Sequence, residues 1–399
     1  MHRSASSPAA LPAVTIVTGF LGAGKTTWLT RALTEPHGLK LAVIVNDVGA
    51  INIDAALVRR VGGNGGPATT IELTNGCICC SVRDELAETL AGLAARREHD
   101  HIIVECSGVA EPQPLVRLFT ERNEFGRGLS DFARLHAVLA IVDVSELLRH
   151  CRDAAGHRRA AREDERPRPL SDLMFEQIEG ADIVALNKPD LVAFPEWIDE
   201  AAALVAGVNP RAEIHRVVQS ELPAGVWPGP DRYAERTEAP ATWVRVLNRA
   251  AGQATPGLHR GGFGALRRPA PVPVETSAEK YGLHTFLFSE RRPFDAGRLA
   301  ALFAAGLPGV VRAKGFFWAR ERPDDIGFLS LAGGVYRCEP VGTWAAALRE
   351  GGVLTEEEIP AGIRATWQEP HGDRRQELVF IGRGLDEASL RRELEACLS

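Results

Sequence analysis

Gly19-Phe20-Leu21-Gly22-Ala23-Gly24-Lys25-Thr26 fits the spacing G-x-x-x-x-G-K-[ST]. It follows the apolar run Ala13–Val17 and opens a stretch, Lys25–Leu33, that reads as a helix. Glycines at these positions let successive backbone N–H groups curl around a phosphate without a Cβ in the way. The helix that starts here adds its positive dipole end. Lys25 neutralises β- and γ-oxygens and the Thr26 hydroxyl is a Mg²⁺ ligand. Gly19, Gly22, Ala23, Gly24, Lys25, Thr26 and the adjoining Thr27 are therefore the expected phosphate-binding residues.

Outward from this loop, apolar runs alternate with helical patterns. Leu41–Val45, His101–Val104, Val138–Val142 and Ile183–Leu186 read as buried strands; Ser81–Ala95 and Pro112–Phe119 read as helices. Alternation at this spacing predicts an α/β fold, a P-loop NTPase whose mostly parallel sheet is covered by helices. Residues 1–12 are expected to be a flexible tail and 13–225 the nucleotide-binding domain. Pro- and Gly-rich stretches predict a linker over 226–280. Beyond it, Thr285–Ser289, Val310–Trp318, Gly327–Leu331 and Leu378–Ile381 look like strands, and Asp295–Ala304 and Asp386–Leu398 like helices. They predict a smaller α+β domain over 281–399 with an antiparallel sheet. His157–Pro169 is dense in mixed charge and reads as an exposed loop.

Asn187-Lys188-Pro189-Asp190 stands at the end of the run Ile183–Leu186. An aspartate there can accept both the N1–H and the 2-amino N–H of guanine, a donor pair that adenine lacks. Asn187 can reach the ring edge and the loop, and the Lys188 stem can lie over the base. GTP is thus the expected nucleotide. Glu105 ends the strand before Cys106-Ser107-Gly108 and is the first choice of carboxylate for Mg²⁺, with Asp143, which ends a later strand, as the alternative. Gly108 could offer its N–H to a γ-phosphate. Asp47 opens the loop Asn46–Asp54 and either closes on the γ-phosphate, positioning water or Mg²⁺, or forms an Asx turn. Lys25, Asp47 and Glu105 are the expected catalytic residues.

Seven cysteines are an odd count for a disulfide scaffold, and three of them, Cys77, Cys79 and Cys80, fall within four positions. Three thiols in C-x-C-C spacing can converge on one soft or borderline ion such as Zn²⁺ or Cu(I). Three protein ligands leave an open position, which suits transfer of an ion rather than permanent structure. Buried structural thiols or a redox switch would be the other uses of such a cluster.

Hydrophobic residues make up 45% and charged residues 25% of the 399, the balance of a soluble globular protein. The net charge of -6 argues against nucleic acid as a partner. No signal or membrane-spanning segment is read in the sequence, which points to a cytoplasmic protein without a membrane partner.

Taken with GFLGAGKTT, the stretches NDVGAINID, TNGCICC, VECSGVAEP, IVDV, QIEGADIVALNKPD and GDRRQELVFIG resemble the CobW-like P-loop GTPases. Arg291–Phe294 and Arg312–Trp318 look like the C-terminal domain of the zinc-linked branch of that family. The resemblance implies a metallochaperone whose GTP state controls the loading of a divalent metal and its delivery to a client metalloprotein. By motif match Cys77, Cys79 and Cys80 would hold the metal, most simply zinc, though cobalt accepts the same thiolate tetrahedron. Lys25, Thr26, Glu105 and Asp190 would serve the nucleotide. Many members carry N-E-x-G-E where this chain has Asn46-Asp47-Val48-Gly49-Ala50, so a supplementary carboxylate metal site is not expected. No arginine finger or water-orienting glutamine is evident, and a homodimer partner or the client is expected to complete the hydrolytic site. Arg312, Lys314 and Arg374 either brace the C-terminal domain or dock a partner. A small-molecule P-loop kinase and a non-catalytic, GTP-sensing zinc adaptor are the rival readings.

Overall fold

Six consecutive buried residues, Ala13–Thr18, form β1 near the middle of a seven-stranded sheet. Its order is β3-β2-β4-β1-β5-β7-β8, with β2 Leu41–Val45, β3 Thr69–Glu72, β4 His101–Glu105, β5 Arg134–Asp143, β7 Ile183–Asn187 and β8 Glu213–Val217. Every pairing in this sheet is parallel. Parallel strands are covered on both faces and so read as continuous apolar runs, and β2, β4 and β7 are buried along their whole length. Alternate residues feed two cores. Ala42 and Ile44 join Leu86, Leu90, Leu115 and Phe119 on one face. Val43 and Val45 join Trp28, Leu29 and Ile141 on the other. Among the described residues the helices that accompany this sheet are α1 Lys25–Thr34, α2 Cys80–Arg96, α3 Gln113–Thr120, α4 Val144–Asp153, α5 Leu170–Glu179 and α6 Glu196–Val208.

The computed structural model describes residues 11–45, 69–72, 80–108, 110–122, 126–153, 159–160, 170–233, 283–332, 335–359, 361–364 and 366–399. The chain falls into two compact units. One comprises Met1–Leu148, Leu173–Val205 and Asn209–Ala239, and holds the parallel sheet. The other comprises Arg149–Asp172, Ala206–Val208 and Pro240–Ser399.

The second unit is built on a six-stranded sheet of order β6-β12-β11-β10-β13-β9. Its strands are β6 Arg159–Ala160, β9 Leu283–Glu290, β10 Val310–Ala319, β11 Arg322–Ala332, β12 Val335–Thr343 and β13 Gln376–Arg383. All pairings are antiparallel except that of β6, which joins β12 in parallel over two residues. Its helices among the described residues are α7 Ala296–Ala305, α8 Ala345–Glu350, α9 Ala361–Arg364 and α10 Glu387–Glu395. Phe286, Phe288 and Phe380 pack with Leu299 and Phe303 of α7 and Leu390 and Leu394 of α10.

Arg312, 1% exposed on β10, donates through Nη1 to Asp172 Oδ1 at 2.6 Å and to Ser330 Oγ at 2.9 Å. Arg374 forks onto both Glu350 oxygens at 2.7 and 2.8 Å. Both arginines thus make contacts that brace their unit.

The expected fold class holds, and the differences are local. β8 (EIHRV) and β12 (VYRCEPVGT) are absent from the sequence reading: one is an edge strand and the other nearly so, half exposed, and their polar residues, with Pro340 in β12, break the apolar signal. β5 begins at Arg134, four residues before the expected start, because Arg134 and His136 interrupt its apolar pattern.

Candidate functional site

The C-terminal ends of β1, β4, β5 and β7 lie along one edge of the parallel sheet, the edge at which open α/β sheets bind ligands. The phosphate loop leaves β1 there and enters α1 at Lys25. Lys25 is 7% exposed, and its ammonium curls back onto the loop, donating to the Gly19 carbonyl at 2.9 Å and the Phe20 carbonyl at 3.2 Å. Thr26 and Thr27 occupy the first turn of α1, Thr26 half-buried and Thr27 exposed. Ala23 is fully buried, and its N–H donates to the Phe20 carbonyl at 3.1 Å.

Gly24 precedes α1 with φ 114°, and no side chain caps the helix. A Cβ there would lie 2.4 Å from Asn187 Nδ2 and 2.5 Å from Ser220 Oγ. Its neighbours explain this closeness. Asn187, 2% exposed, donates from Nδ2 to the Ala23 carbonyl at 2.8 Å and to Ser220 Oγ at 2.9 Å, and accepts the Ser220 N–H on Oδ1 at 2.9 Å. Ser220 Oγ in turn donates to the Gly24 carbonyl at 3.0 Å. The asparagine of N-K-x-D thus fastens the phosphate loop to the turn that follows β8.

That turn went unread in the sequence. Gln219 and Ser220 both adopt left-handed backbone, φ 50° and 57°, positions where glycine or asparagine would be the usual marker. Arg31 of α1 also holds it, donating from Nε to the Gln219 carbonyl at 3.0 Å and from Nη2 to Glu221 Oε2 at 2.9 Å. Its signal was only a polar Gln-Ser pair directly after a strand.

Lys188 follows Asn187, and Asp190 sits exposed in the 3-10 turn Pro189–Leu191. Exposed apolar side chains surround this corner of the chain, Leu191 at 64% and Phe194 at 50%. Lys188 Nζ lies 2.9 Å from Asp143 Oδ2. Asp143 Oδ1 accepts the Ser145 N–H and hydroxyl at 2.9 and 2.6 Å. The Asp143 carboxylate is therefore committed to the start of α4 and to Lys188, which leaves Glu105 as the candidate acid.

Glu105 closes β4 and is 3% exposed. Sheet register sets it level with Val17, two residues before Gly19. Cys106 follows, its N–H donating to the Val17 carbonyl at 2.8 Å. Burial pushes the Cys106 thiol up to about 12; the Glu105 charge adds to the rise and Lys25 opposes it. Cys106 is thus a packing thiol. A Cβ on Gly108 would meet the Leu21 side chain and N–H at 2.9 Å, so the turn after β4 lies directly against the phosphate loop. Gln177 of α5, 1% exposed, donates from Nε2 to the Ala110 carbonyl at 3.1 Å and the Gly108 carbonyl at 3.4 Å. It is a second residue of the site to which the sequence assigns no role: it opens the stretch QIEGADIVALNKPD, but a glutamine inside a helix does not show which distant backbone it reaches.

Asp47, Cys77 and Cys79 lie outside the described residues, and Cys80 is described only as the first residue of α2. Among the described residues no group of three or more His, Cys, Asp or Glu could hold a metal ion, and no helix is long and apolar enough to cross a membrane.

The sequence matches the family described as CobW/HypB/UreG, nucleotide-binding domain, over residues 13–216, and the cobalamin synthesis protein cobW C-terminal domain over 283–398. It is 33% identical to a zinc-regulated GTPase metalloprotein activator 1 of Dictyostelium discoideum, across 96% of this chain and 79% of that one. It is 36% identical to a zinc chaperone CobW of Pseudomonas aeruginosa across 56% of this chain, and 34% identical to the zinc chaperone YjiA of Escherichia coli across 54%. The chain spans 60% of the length of each of these two bacterial relatives.

Proposed function

The chain belongs to the CobW/HypB/UreG family, and from that premise we propose that it is a GTP-binding and GTP-hydrolysing metallochaperone, which takes up zinc on Cys77, Cys79 and Cys80 and hands it to a client metalloprotein in the cytosol. The observation that carries the nucleotide half is the hydrogen bond from Asn187 Nδ2 to the Ala23 carbonyl. It locks a base-reading motif to a phosphate loop, so one ligand with a base at one end and phosphates at the other meets both. Asp190, exposed beside Lys188, is the carboxylate for the guanine N1–H and 2-amino group. The names of the relatives, zinc chaperones and a zinc-regulated GTPase, support zinc as the cargo over cobalt.

In this mechanism the loop N–H groups and the Lys25 ammonium bind the β- and γ-phosphates. Thr26 and Glu105 are oxygen donors of the kind Mg²⁺ takes, and they stand at the ends of neighbouring elements beside the loop. When bound, that ion neutralises charge on the phosphate oxygens. The Gly108 turn, packed on Leu21, and the Asp47 loop contact the γ-phosphate. Water adds to the γ-phosphorus, the bond to the β–γ bridging oxygen breaks, and phosphate leaves GDP behind. The cysteine segment lies between those two contacts in sequence. Their release on hydrolysis alters the cysteine geometry and loosens zinc, an order–disorder switch driven by the γ-phosphate.

Zinc competition against a chromophoric chelator, on reduced protein with and without GTP and Mg²⁺, tests this reading. A GTP-dependent shift in zinc affinity that is abolished by Cys77→Ser/Cys79→Ser/Cys80→Ser supports it. Equal zinc binding by wild type and the triple variant sinks the delivery role.

A further inference from the structure

Lys188 stands in the left-handed region at φ 59°, a backbone state that disfavours any residue with a Cβ. Its side chain is anchored as well. The partner comes from the neighbouring strand: β5 and β7 run parallel with Asp143 level with Asn187, the residue before Lys188. From there Asp143 Oδ2 reaches Lys188 Nζ at 2.9 Å.

The two oxygens of Asp143 divide their work. Oδ1 takes the Ser145 N–H, the Ser145 hydroxyl and, at 3.3 Å, the Glu146 N–H, which fixes the carboxylate on the first turn of α4. Oδ2 is turned to the lysine. Burial alone would push the Asp143 carboxyl up, but the hydrogen bonds from Ser145 and Lys188 outweigh it and hold the group below the usual carboxylate range. The anchor is therefore an ionised carboxylate bonded through both oxygens, with 9% of its side chain exposed, facing a lysine with 32% exposed.

A lysine stem free in solvent samples many rotamers, and fixing it on ligand binding costs entropy. Here the stem is held at both ends before any ligand arrives, by its backbone and by Asp143. We propose that Asp143 is a positioning residue of the base site. By tethering the Lys188 ammonium it presets the lysine stem beside Asp190 as a surface for the guanine ring, and so sets how long the nucleotide stays and how strongly guanine is preferred. This inference rests on the guanine-nucleotide reading above.

Asp143→Asn keeps an oxygen for the start of α4 and removes the charge that holds the lysine. Release of a fluorescent GDP analogue is followed in wild type, Asp143→Asn, Lys188→Met and the double variant. Each single variant is expected to release GDP about tenfold faster, the loss of roughly one charge-assisted contact. The double variant is expected to release it no faster than Lys188→Met alone, because the aspartate acts through the lysine. The ratio of GDP to ADP affinity falls in both single variants, while the melting temperature of the nucleotide-free protein stays near wild type. Wild-type release from Asp143→Asn, multiplicative effects in the double variant, or slower release, which would make the pair a latch against binding, each overturn the inference. If Asp143→Asn does not fold, Lys188→Met decides: unchanged release and selectivity overturn it. A wild-type protein that binds ADP as tightly as GDP overturns the guanine reading and this inference together; an intact GDP preference with unchanged Asp143→Asn release overturns this inference alone.

Discussion

Asn187 and Ala23 are 164 positions apart in sequence, yet the Asn187 amide donates to the Ala23 carbonyl at 2.8 Å in the buried floor of the site. The same side chain holds both the N–H and the hydroxyl of Ser220. One residue therefore ties together three segments that meet only in the folded chain.

Asn187→Ala leaves the Ala23 carbonyl and the Ser220 N–H without this partner. A buried polar group so stranded costs about 1–3 kcal/mol. Affinity for a non-hydrolysable GTP analogue is expected to fall about a hundredfold, with a lower melting temperature, measured by titration calorimetry and thermal denaturation. An affinity within twofold of wild type would show that the amide does not hold the loop in its binding shape.

Two glycines of one loop should respond differently to alanine. Gly24 has φ 114° and atoms of Asn187 and Ser220 within 2.5 Å of a new Cβ, so Gly24→Ala must break the contacts just described. Gly22 has φ 75° and nothing within 4 Å. Gly22→Ala is expected to cost only the backbone preference, about 1 kcal/mol, while Gly24→Ala abolishes nucleotide binding. Equilibrium binding of a fluorescent GDP analogue ranks the two.

Cys106 is the fourth cysteine in sequence and the nearest to the C-x-C-C segment, but its thiol is held up to about 12 and packs among Ile102, Val104 and Ala110. A thiol that stays protonated at neutral pH is a poor zinc ligand. Zinc stoichiometry is expected to be the same in wild type and Cys106→Ala, and iodoacetamide at pH 8 should leave Cys106 unlabelled in the native protein by mass spectrometry.

The P-loop, the parallel sheet and the N-K-x-D motif were legible because each rests on local pattern: glycines at fixed offsets, runs of buried aliphatics, an asparagine at a strand end. Ser220, Arg31 and Gln177 were not, since each acts on backbone atoms far away in sequence and no spacing rule links them to the loop. The competing claims of Glu105 and Asp143 were left open for the same reason. Both end apolar strands, and the contact of Asp143 with Lys188, 45 positions on, is one that no local pattern announces.

His101 and His136 are buried side by side with ring centroids 5.2 Å apart, and Thr15 shares a hydrogen bond with His101 at 2.7 Å. Burial first, then the His136 imidazole and the Arg134 guanidinium, lower His101 to about 3, against the pull of Asp231. The folded pKa lies below the unfolded value of about 6.5, so between those limits the unfolded chain binds more protons and stability falls as pH falls. The contribution is fully present above about 6.5 and drains away towards 3 by about 1.4 kcal/mol per pH unit. His136, held below its ordinary value by burial against the pull of Asp231, adds slope of the same sign in the same window in any variant. His101→Gln, which keeps a polar partner for Thr15, should therefore flatten the pH dependence of unfolding free energy between pH 4.5 and 6.5 without removing it. Parallel curves for the two proteins would mean that His101 protonates freely in the fold.

Arg312 lies in the stretch RAKGFFW, whose charges could have marked a docking face. Instead its guanidinium is 1% exposed and bonded to Asp172 and Ser330. Burial pushes the Asp172 carboxyl up, but Arg312 and the Ser330 hydroxyl outweigh it and keep the group below its usual range. Removing one member of such a pair strands the other charge in a dry place, at about 3–5 kcal/mol. Removing both withdraws the stranded charge as well, so the loss is smaller. Arg312→Met and Asp172→Leu are each expected to lower the urea midpoint sharply, and Arg312→Met/Asp172→Leu to recover part of that loss. A double variant as unstable as the two single effects added together would mean that each side chain acts through its shape alone, and the ion pair would then have no part in bracing the C-terminal sheet.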